Sequence, residues 1–506
     1  MFAFDLLTSI GKNPEIAKQI SRLSRLPDSR LALLVDLFKS VPQGKGIQQG
    51  LASALLKNVT ENPNALSWLL CLVERLNDRT LERFVRNLLV NEMVAGQQVR
   101  REFLAQEGFE PPVTLVINPT MACNLRCEGC YSFKMPRKGM SYELLSRLLG
   151  EAWEMGTRFI TVSGGEPLIY RHLFRMLEDF DGMTFMMYTN ATLIDEEMAD
   201  RIAAAGNLWP AISVEGFGEH TDQRRGEGVH DKVLRAMQLL RERGVMFGFS
   251  ATPTRRNSDV IASDEFLDYY LDKGVLFGWM FQYLPVGKDP DLGLMATPAQ
   301  RERLRAKTKE WQVSKPLFIG DFWNDGACVG GCLSANRYCY ITPEGKVQPC
   351  TFVHFYTHDL NECTLKDVLR SRLFRSIRNA QPYTENLLRP CKIIDNPEAL
   401  RRLVRETGAK PSYPGAETIV EDPLVRAHLD SYAREWRKIA DEVWNGPDYQ
   451  GGRSVLVPFL GRINVYDRFY SMRESRETRA RAEQLGGAPM EIVLPPSQRS
   501  SKRSPV

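Results

Sequence analysis

Three cysteines, Cys123, Cys127 and Cys130, fall in the short run Thr120 to Tyr131 at spacings x3 and x2. Thiolates so placed can close on one metal centre. A structural zinc ion takes four protein ligands, and no fourth Cys or His lies near this run. A four-iron, four-sulfur cube is held by cysteine thiolates, and three of them leave one iron open to a substrate or cofactor. Further along stand Ser163, Gly164, Gly165, Glu166 and Pro167. Two glycines allow a ligand to approach the backbone closely, and Glu166 offers a carboxylate there. Asn190, after Tyr188 and Thr189, and Glu215, after Ser213 and Val214, add polar groups. A second set of cysteines, Cys328, Cys332, Cys339, Cys350, Cys363 and Cys391, lies toward the C-terminus, with Cys71 apart as a buried helical thiol. In a reducing cytosol, clusters of this kind mean metal more often than disulfide.

These groups need elements to carry them. β-rich runs at Val113 to Ile117, Arg158 to Ser163, Thr184 to Thr189, Pro210 to Val214, Met246 to Ala251 and Gly278 to Tyr283 alternate with amphipathic stretches such as Tyr142 to Trp153, Val229 to Arg243 and Phe266 to Asp272. The alternation predicts successive βαβ units with right-handed crossovers, hence a parallel sheet. Six units are too few for an eight-fold barrel. The expected fold is α/β, a partial (βα)6 TIM-like barrel with an N-terminal helical domain and a small C-terminal cysteine-rich α+β domain. By analogy with complete barrels, chemistry belongs at the C-terminal ends of the strands, where the polar motifs fall.

Apolar residues repeat at helical spacing through Leu31, Leu34, Val35, Phe38, through Leu69, Leu72, Val73, Leu76 and through Leu81, Phe84, Val85, Leu88, with a helix start at Asp28 and Ser29. The chain divides on this reading into a helical bundle (1–105), the partial barrel (106–313), a cysteine-rich domain (314–395), helices (396–450) and an extended arm with a disordered tail (451–506). Within the third part, Tyr338 to Pro349 forms two arms around a Pro343, Glu344, Gly345 turn.

Composition narrows the function. In 506 residues, 66 Lys and Arg face 62 Asp and Glu, and a net charge of +4 predicts no polyanion partner, so no nucleic acid. No uncharged run reaches bilayer-spanning length. The opening Met1 to Ile10 is interrupted by Asp5 and lacks a basic lead, unlike a secretory signal. A cytoplasmic protein is expected.

Taken together, Cys123, Cys127 and Cys130 with the GGEP run Gly164 to Pro167 resemble a radical SAM enzyme, which reductively cleaves S-adenosylmethionine on a 4Fe-4S cluster. The resemblance covers about residues 113 to 313. It implies that the three cysteines hold the cluster and that Ser163, Gly164, Gly165, Glu166 and Pro167 bind the amino end of the cofactor. It places Ser213 and Glu215 where the family has Ser-x-Asp contacting ribose, with Glu here in place of Asp. Asn190 and Arg225, the latter in a His220 to Gly226 run similar to the family's HD-x-x-RG, are further cofactor-binding candidates. Many members carry an aromatic residue before the last cluster cysteine; here that place is Gly129, and Tyr131 is the candidate for stacking on adenine.

Gly331, Cys332, the Tyr338 to Pro349 hairpin, Cys350 and the Arg389, Pro390, Cys391 run resemble a SPASM or twitch domain. That implies a second, auxiliary 4Fe-4S cluster on Cys332, Cys350 and Cys391, with Cys328 as the fourth ligand. Cys339 would turn into the core and Cys363 would be a thiol in a polar stretch. Zinc on four thiolates remains an alternative. The resemblance further implies hydrogen-atom abstraction from an unactivated C–H position and an external electron donor such as a flavodoxin or ferredoxin. For the substrate, two readings stand open: a peptide or protein docked on the N-terminal domain, or a lipid or isoprenoid chain guided by it. A non-catalytic redox or scaffold protein is the third. Trp279 to Tyr283 line a pocket or pack against helices, with packing favoured; His354, His358 and Asp359 are set aside as acid/base groups.

Overall fold

A computed structural model describes residues 27, 63–132, 138–287, 289–457 and 461–465. Seven parallel strands follow in chain order: β1 (Thr114–Thr120), β2 (Phe159–Gly164), β3 (Thr184–Thr189), β4 (Leu208–Val214), β5 (Gly248–Ala251), β6 (Phe277–Met280) and β7 (Phe318–Asp321). Each neighbours its predecessor in space, so the sheet is the expected α/β partial barrel, extended by one strand. The hairpin of β8 (Tyr338–Ile341) and β9 (Val347–Gln348) forms about the expected turn. Its first arm also pairs in parallel with β1, in the register Leu115↔Cys339, so the cysteine-rich segment closes onto the opposite edge of the same sheet.

Local signals set the crossovers. Ser141, Asp195 and Ser263 each accept a hydrogen bond from a first-turn amide, capping the helices Tyr142–Glu154, Glu196–Ala205 and Asp264–Lys273. The inner faces of these helices join one continuous core with the sheet, including Leu145, Leu149, Ile160, Val162, Phe185, Ile202 and Phe266.

Of the N-terminal segment, Pro63–Arg75, Asp78–Arg83, a π-helical run Phe84–Gly96 and Gln97–Glu107 are described. They form a floor under the barrel. Leu72, Leu76, Leu81 and Phe84 pack beneath Met186, Trp209, Ala211, Met246, Leu276 and Phe277, residues at or near the N-terminal ends of β3 to β6. Trp68 Nε1 donates to the Leu276 carbonyl at 2.6 Å, and Phe84 stacks on Trp209 with centroids 5.8 Å apart. Cys71, only half-buried, packs beside this cluster. The Leu31 to Phe38 periodicity, the Asp28 and Ser29 start and the 497–504 tail lie outside the described residues.

C-terminally, the helix Pro423–Asn445 lies against Pro298–Ser314 and the 386–396 loop, and Pro397–Thr407 packs on it. Arg301 ties them together: fully buried, it donates to Asp395 Oδ1 at 2.6 Å and to Asn324 Oδ1 at 2.9 Å, and lies 4.1 Å over the Trp436 ring. Val455–Val457 and Gly461–Ile463 form a small antiparallel pair beyond.

Candidate active site and auxiliary cysteine centre

At the C-terminal end of β1 the register slips between Ile117 and Thr120, and the chain enters the Cys123 to Cys130 loop. What fixes this loop is the glycine pair after β2. Gly165 N donates to Thr120 O at 2.9 Å and Glu166 N to Ala122 O at 2.8 Å. A Cβ on Gly165 would sit 2.2 Å from Ala122 O, and one on Gly164, at φ +126°, would sit 1.9 Å from Asn118 Oδ1. The space these glycines open is thus taken by the backbone of the cysteine loop and by Asn118. The glycines thus serve close packing of two strand ends. Pro167 begins a 3-10 turn below them.

Cys123, Cys127 and Cys130 are each half-buried. Burial raises the thiols of Cys123 and Cys127, and the charge of Cys130 acts on both. Leu125 N donates to Cys123 Sγ at 3.4 Å, Asn190 Nδ2 lies 3.8 Å from the same sulfur, and Arg225 Nη1 lies 4.0 Å from Cys127 Sγ. Among the described residues, no three His, Cys, Asp or Glu side chains surround a position for a single ion.

Both carboxylates are inward and already engaged. Glu166 is fully buried: one oxygen accepts from Thr189 Oγ1 at 2.8 Å and Leu168 N at 3.1 Å, the other from Asn190 N at 2.8 Å. Burial pushes its carboxyl up to about 7, against the pull of those donors and of Arg225. Glu215, also fully buried, accepts from Arg224 Nη1 at 2.5 Å and from Arg225 Nη2 at 2.5 Å and Nε at 2.9 Å. Glu215 is thus held in an arginine clasp. Asn190 Oδ1 accepts from Thr192, and its Nδ2 donates to Asn124 at 2.9 Å. Ser213 lies in β4, half-buried, opposite Ser250 of β5.

Inside the barrel lies a cavity of about 590 Å³. Cys127, Cys130, Tyr131, Ser163 and Arg225 face it at one end; Glu166, Asn190, Ser213 and Glu215 do not. Its walls are mainly aromatic and aliphatic, from Val116, Phe159, Met186, Tyr188, Trp279, Phe281, Phe318 and Phe352. In the Trp279 to Tyr283 run, where packing is favoured for the alternate residues facing helices, Met280 at the end of β6 is fully buried in the core, while Trp279, Phe281, Gln282 and Tyr283 line this space. Gln282 is 3% exposed and its Nε2 has no partner, so the cavity holds an unsatisfied donor. Opposite stand Gln312, Asp321, Asp325 and Cys328, a polar wall built where the helix Pro298–Ser314 packs on β7, of which the sequence marks only Cys328. Asp321, buried and beside Asp325, has its carboxyl pushed up to about 6. Tyr131 packs at 5.0 Å from the His354 ring and 6.2 Å from Phe352. His354 is 1% exposed and engaged by Thr351 O and Tyr413 Oη, a core histidine.

Beyond that wall, Cys332, Cys350 and Cys391 line one smaller space, about 50 Å³, together with Tyr338 and Lys392. Tyr338 Oη donates to Cys350 Sγ at 2.7 Å. Lys392, fully buried, donates to Ser334 Oγ at 2.5 Å and lies 3.9 Å from Cys332 Sγ. Burial alone would lower its ammonium, but the thiols of Cys332, Cys350 and Cys391, with Tyr383, hold it raised. Cys328 is not in this group. Its sulfur lies 3.0 Å from Lys309 Nζ, which also donates to Asp325 at 2.7 Å, so the expected fourth ligand is drawn to a charged pair on the other wall. Cys339 is fully buried in β8, and Cys363 donates to Asp359 O at 3.3 Å.

Residues 117–253 match the Radical SAM superfamily and residues 332–393 the SPASM iron-sulfur cluster-binding domain. The AdoMet-dependent heme synthase of Oleidesulfovibrio alaskensis is 25% identical over 307 residues, covering 52% of this chain and 76% of its own. Mycofactocin maturase MftC of Mycobacterium tuberculosis is 29% identical over 301 residues, covering 54% and 75%. Streptococcus suis SuiB bound to S-adenosylmethionine superposes with a TM-score of 0.49 at 19% identity, over 68% of this chain and 85% of that one. No helix among the described residues is long and apolar enough to cross a membrane. A 4Fe-4S cluster, S-adenosylmethionine and an auxiliary iron-sulfur site are the cofactors of such a chain, and the donor sets fit them. Cys127 and Cys130 adjoin a cavity with the unsatisfied Gln282 amide and Arg225, and Cys332, Cys350 and Cys391 line a separate recess beside the buried Lys392 ammonium.

Proposed function

We infer that this chain, which belongs to the radical SAM superfamily and carries a SPASM domain, is an enzyme that abstracts a hydrogen atom from an apolar C–H substrate, foremost a side chain of a peptide or protein. One observation carries the reading: a single apolar cavity runs from Cys127 and Cys130 to the wall that borders the second cysteine group. A cluster held by Cys123, Cys127 and Cys130, given one electron by an external donor, would with bound S-adenosylmethionine supply the hydrogen-abstracting chemistry, releasing methionine and 5′-deoxyadenosine.

The chain's own residues do the rest. Cys123, Cys127 and Cys130 are the proposed ligands of the first cluster, on a loop that Gly165 and Glu166 lock to the sheet. Ser163 and Arg225 border the cofactor end of the cavity. Glu166 positions the strand ends that surround that site, through Thr189 and Asn190. Trp279, Phe281 and Phe352 exclude water and hold an apolar side chain, since abstraction tolerates little misplacement. An external flavodoxin or ferredoxin is the proposed electron source.

The relation to a maturase supports a peptide substrate. For the alternative of a lipid guided by the N-terminal domain, the described part of that domain offers no support, because its apolar face is spent on the barrel floor. Anaerobic reconstitution followed by assay for 5′-deoxyadenosine tests the reading. The wild type is expected to form it and Cys130→Ala to lose it entirely while keeping roughly half the iron, the auxiliary share. A wild type that binds iron and S-adenosylmethionine yet forms none would favour the scaffold alternative.

A further inference from the structure

The helices after the cysteine-rich hairpin carry a charge that the chain as a whole does not. Between Arg370 and Arg405, nine Arg or Lys face three Asp or Glu, an excess greater than the net +4 of the whole protein. Helix Arg372–Ala380 contains no acidic residue; it buries Leu373, Phe374 and Ile377 and leaves Arg372 and Arg375 exposed. It packs on Pro397–Thr407, which packs in turn on Pro423–Asn445. Where the three meet, a cleft of about 440 Å³ opens to the surface. Arg402 and Arg434 line it, both exposed, and neither has an ion pair or a hydrogen bond among the described residues. The carboxylates on the same walls are already matched: Asp430 accepts from Arg401 Nη1 at 2.9 Å, and Glu398 lies 3.5 Å from the same guanidinium. Pro397 and the small side chains of Ala380, Ala399 and Ala433 give the cleft an apolar lining between these charges.

Two uncommitted guanidiniums beside small apolar side chains suit carboxylates carried on an amphipathic chain, since arginine pairs bidentately with a carboxylate and the alanines leave room for what lies between. We propose that this cleft docks an acidic segment of the peptide substrate, remote from the residue that reacts. Carboxylates of that segment pair with Arg402 and Arg434, and its apolar side chains rest against Pro397 and the alanines. Arg372 and Arg375 extend the attraction beyond the cleft and speed the encounter. Binding energy gathered here holds the reacting side chain in the large cavity, whose walls are mainly apolar and grip little by themselves. A peptide fits better than a nucleic acid, because Glu398 and Asp430 interrupt the positive surface that a run of phosphates would follow. The proposal rests on the reading of the substrate as a peptide. Docking is measured below without cluster or radical, so its failure is distinguishable from a failure to form 5′-deoxyadenosine.

The test is fluorescence polarisation of a fluorescein-labelled peptide of alternating Glu and Leu, titrated with the full chain at low salt. The wild type should bind it and should not bind the Lys-Leu counterpart. Arg402→Glu combined with Arg434→Glu should weaken binding about tenfold. Arg437→Glu combined with Lys438→Glu makes the same change of charge on the helix Pro423–Asn445 but outside the cleft, and should leave binding as it was. Ala433→Trp fills the cleft without altering charge and should also cost about tenfold, for want of room. If the Glu pair in the cleft does not fold, Arg402→Ala with Arg434→Ala replaces it, with a loss of about threefold expected. Equal losses from the two charge reversals, or a loss from the reversals but none from Ala433→Trp, would make the attraction a property of the whole basic face and overturn the proposal. A wild type that ignores the Glu-Leu peptide, binding unchanged in every variant, or displacement of the peptide by single-stranded DNA overturns it equally.

Discussion

The two cysteine groups are built in opposite ways. Cys123, Cys127 and Cys130 belong to one loop, half-exposed, whose shape is fixed by backbone contacts with the glycine turn after β2. Cys332, Cys350 and Cys391 come from the segment before β8, the end of the hairpin and a distant loop, and converge only because β8 pairs with β1 and the C-terminal helices clamp the last loop in place. A cluster on the first group needs a loop. A cluster on the second needs the whole fold. The surroundings differ accordingly: the first sulfurs face a wide cavity and the side of Arg225, whereas the second are enclosed with a buried ammonium and a phenol.

The contrast is broken most severely through Arg301. Its buried ion pair with Asp395 is continued by Asp395 Oδ2, which accepts from Cys391 N at 2.9 Å. Arg301→Met leaves an unpaired carboxylate in the interior and is expected to remove about 3–5 kcal/mol of stability. It should also empty the auxiliary site while the first cluster remains. Urea unfolding and iron content check both, and equal loss from the two sites would refute the separation drawn here.

Much of this was readable from residue patterns. Alternating β-rich and amphipathic segments predict six strands and their parallel order, because each βαβ unit is local. The seventh strand, Phe318–Asp321, falls in the stretch read as the cysteine-rich domain, and the β1–β8 pairing joins residues separated by most of the barrel. In the site, spacing marks Cys123, Cys127 and Cys130 but not where the neighbouring carboxylates point. Glu166 and Glu215 carry motif positions, yet their burial and partners are tertiary facts. Cys328 lies beside Cys332 in sequence, and only the helix bearing Lys309 decides that it faces the other wall. Likewise the helical periodicity of Leu69 to Leu76 is the same whether the apolar face meets a ligand, a partner or, as here, the barrel floor.

A smaller effect sharpens the enclosure of the auxiliary side. His354, four residues after Cys350, lies between Tyr131 and Tyr413, its Nδ1 accepting from Tyr413 Oη at 2.6 Å and its Nε2–H donating to Thr351 O at 3.0 Å. Burial pushes its ring down to about 4. The ring is therefore neutral in the fold. Its contribution is intact above the ordinary histidine value of about 6.5 and is lost as pH falls toward about 4. From about pH 7.5 to about pH 5 the wild type should lose about 2 kcal/mol that His354→Gln does not. Unfolding curves of the two proteins at both pH values measure it, and parallel losses would show that the histidine is not buried in its neutral form.

The mildest change concerns a single hydrogen bond. Tyr338 Oη donates to Cys350 Sγ in a recess with no other hydroxyl on that sulfur, whereas the sulfurs of the first loop receive only a backbone amide and two more distant side-chain donors. A donor on a ligating sulfur stabilises the reduced, more negative cluster. Tyr338→Phe removes that donor but keeps the ring that walls off the cavity. The expected cost is about 1 kcal/mol, which for a one-electron couple lowers the auxiliary potential by some tens of millivolts. The first cluster should not move, since no contact of Tyr338 reaches its loop. A redox titration that follows both signals separates the outcomes: a shift confined to the auxiliary centre fits a sulfur held by this phenol, and a shift in both, or in neither, means that the two groups are not insulated as their construction implies.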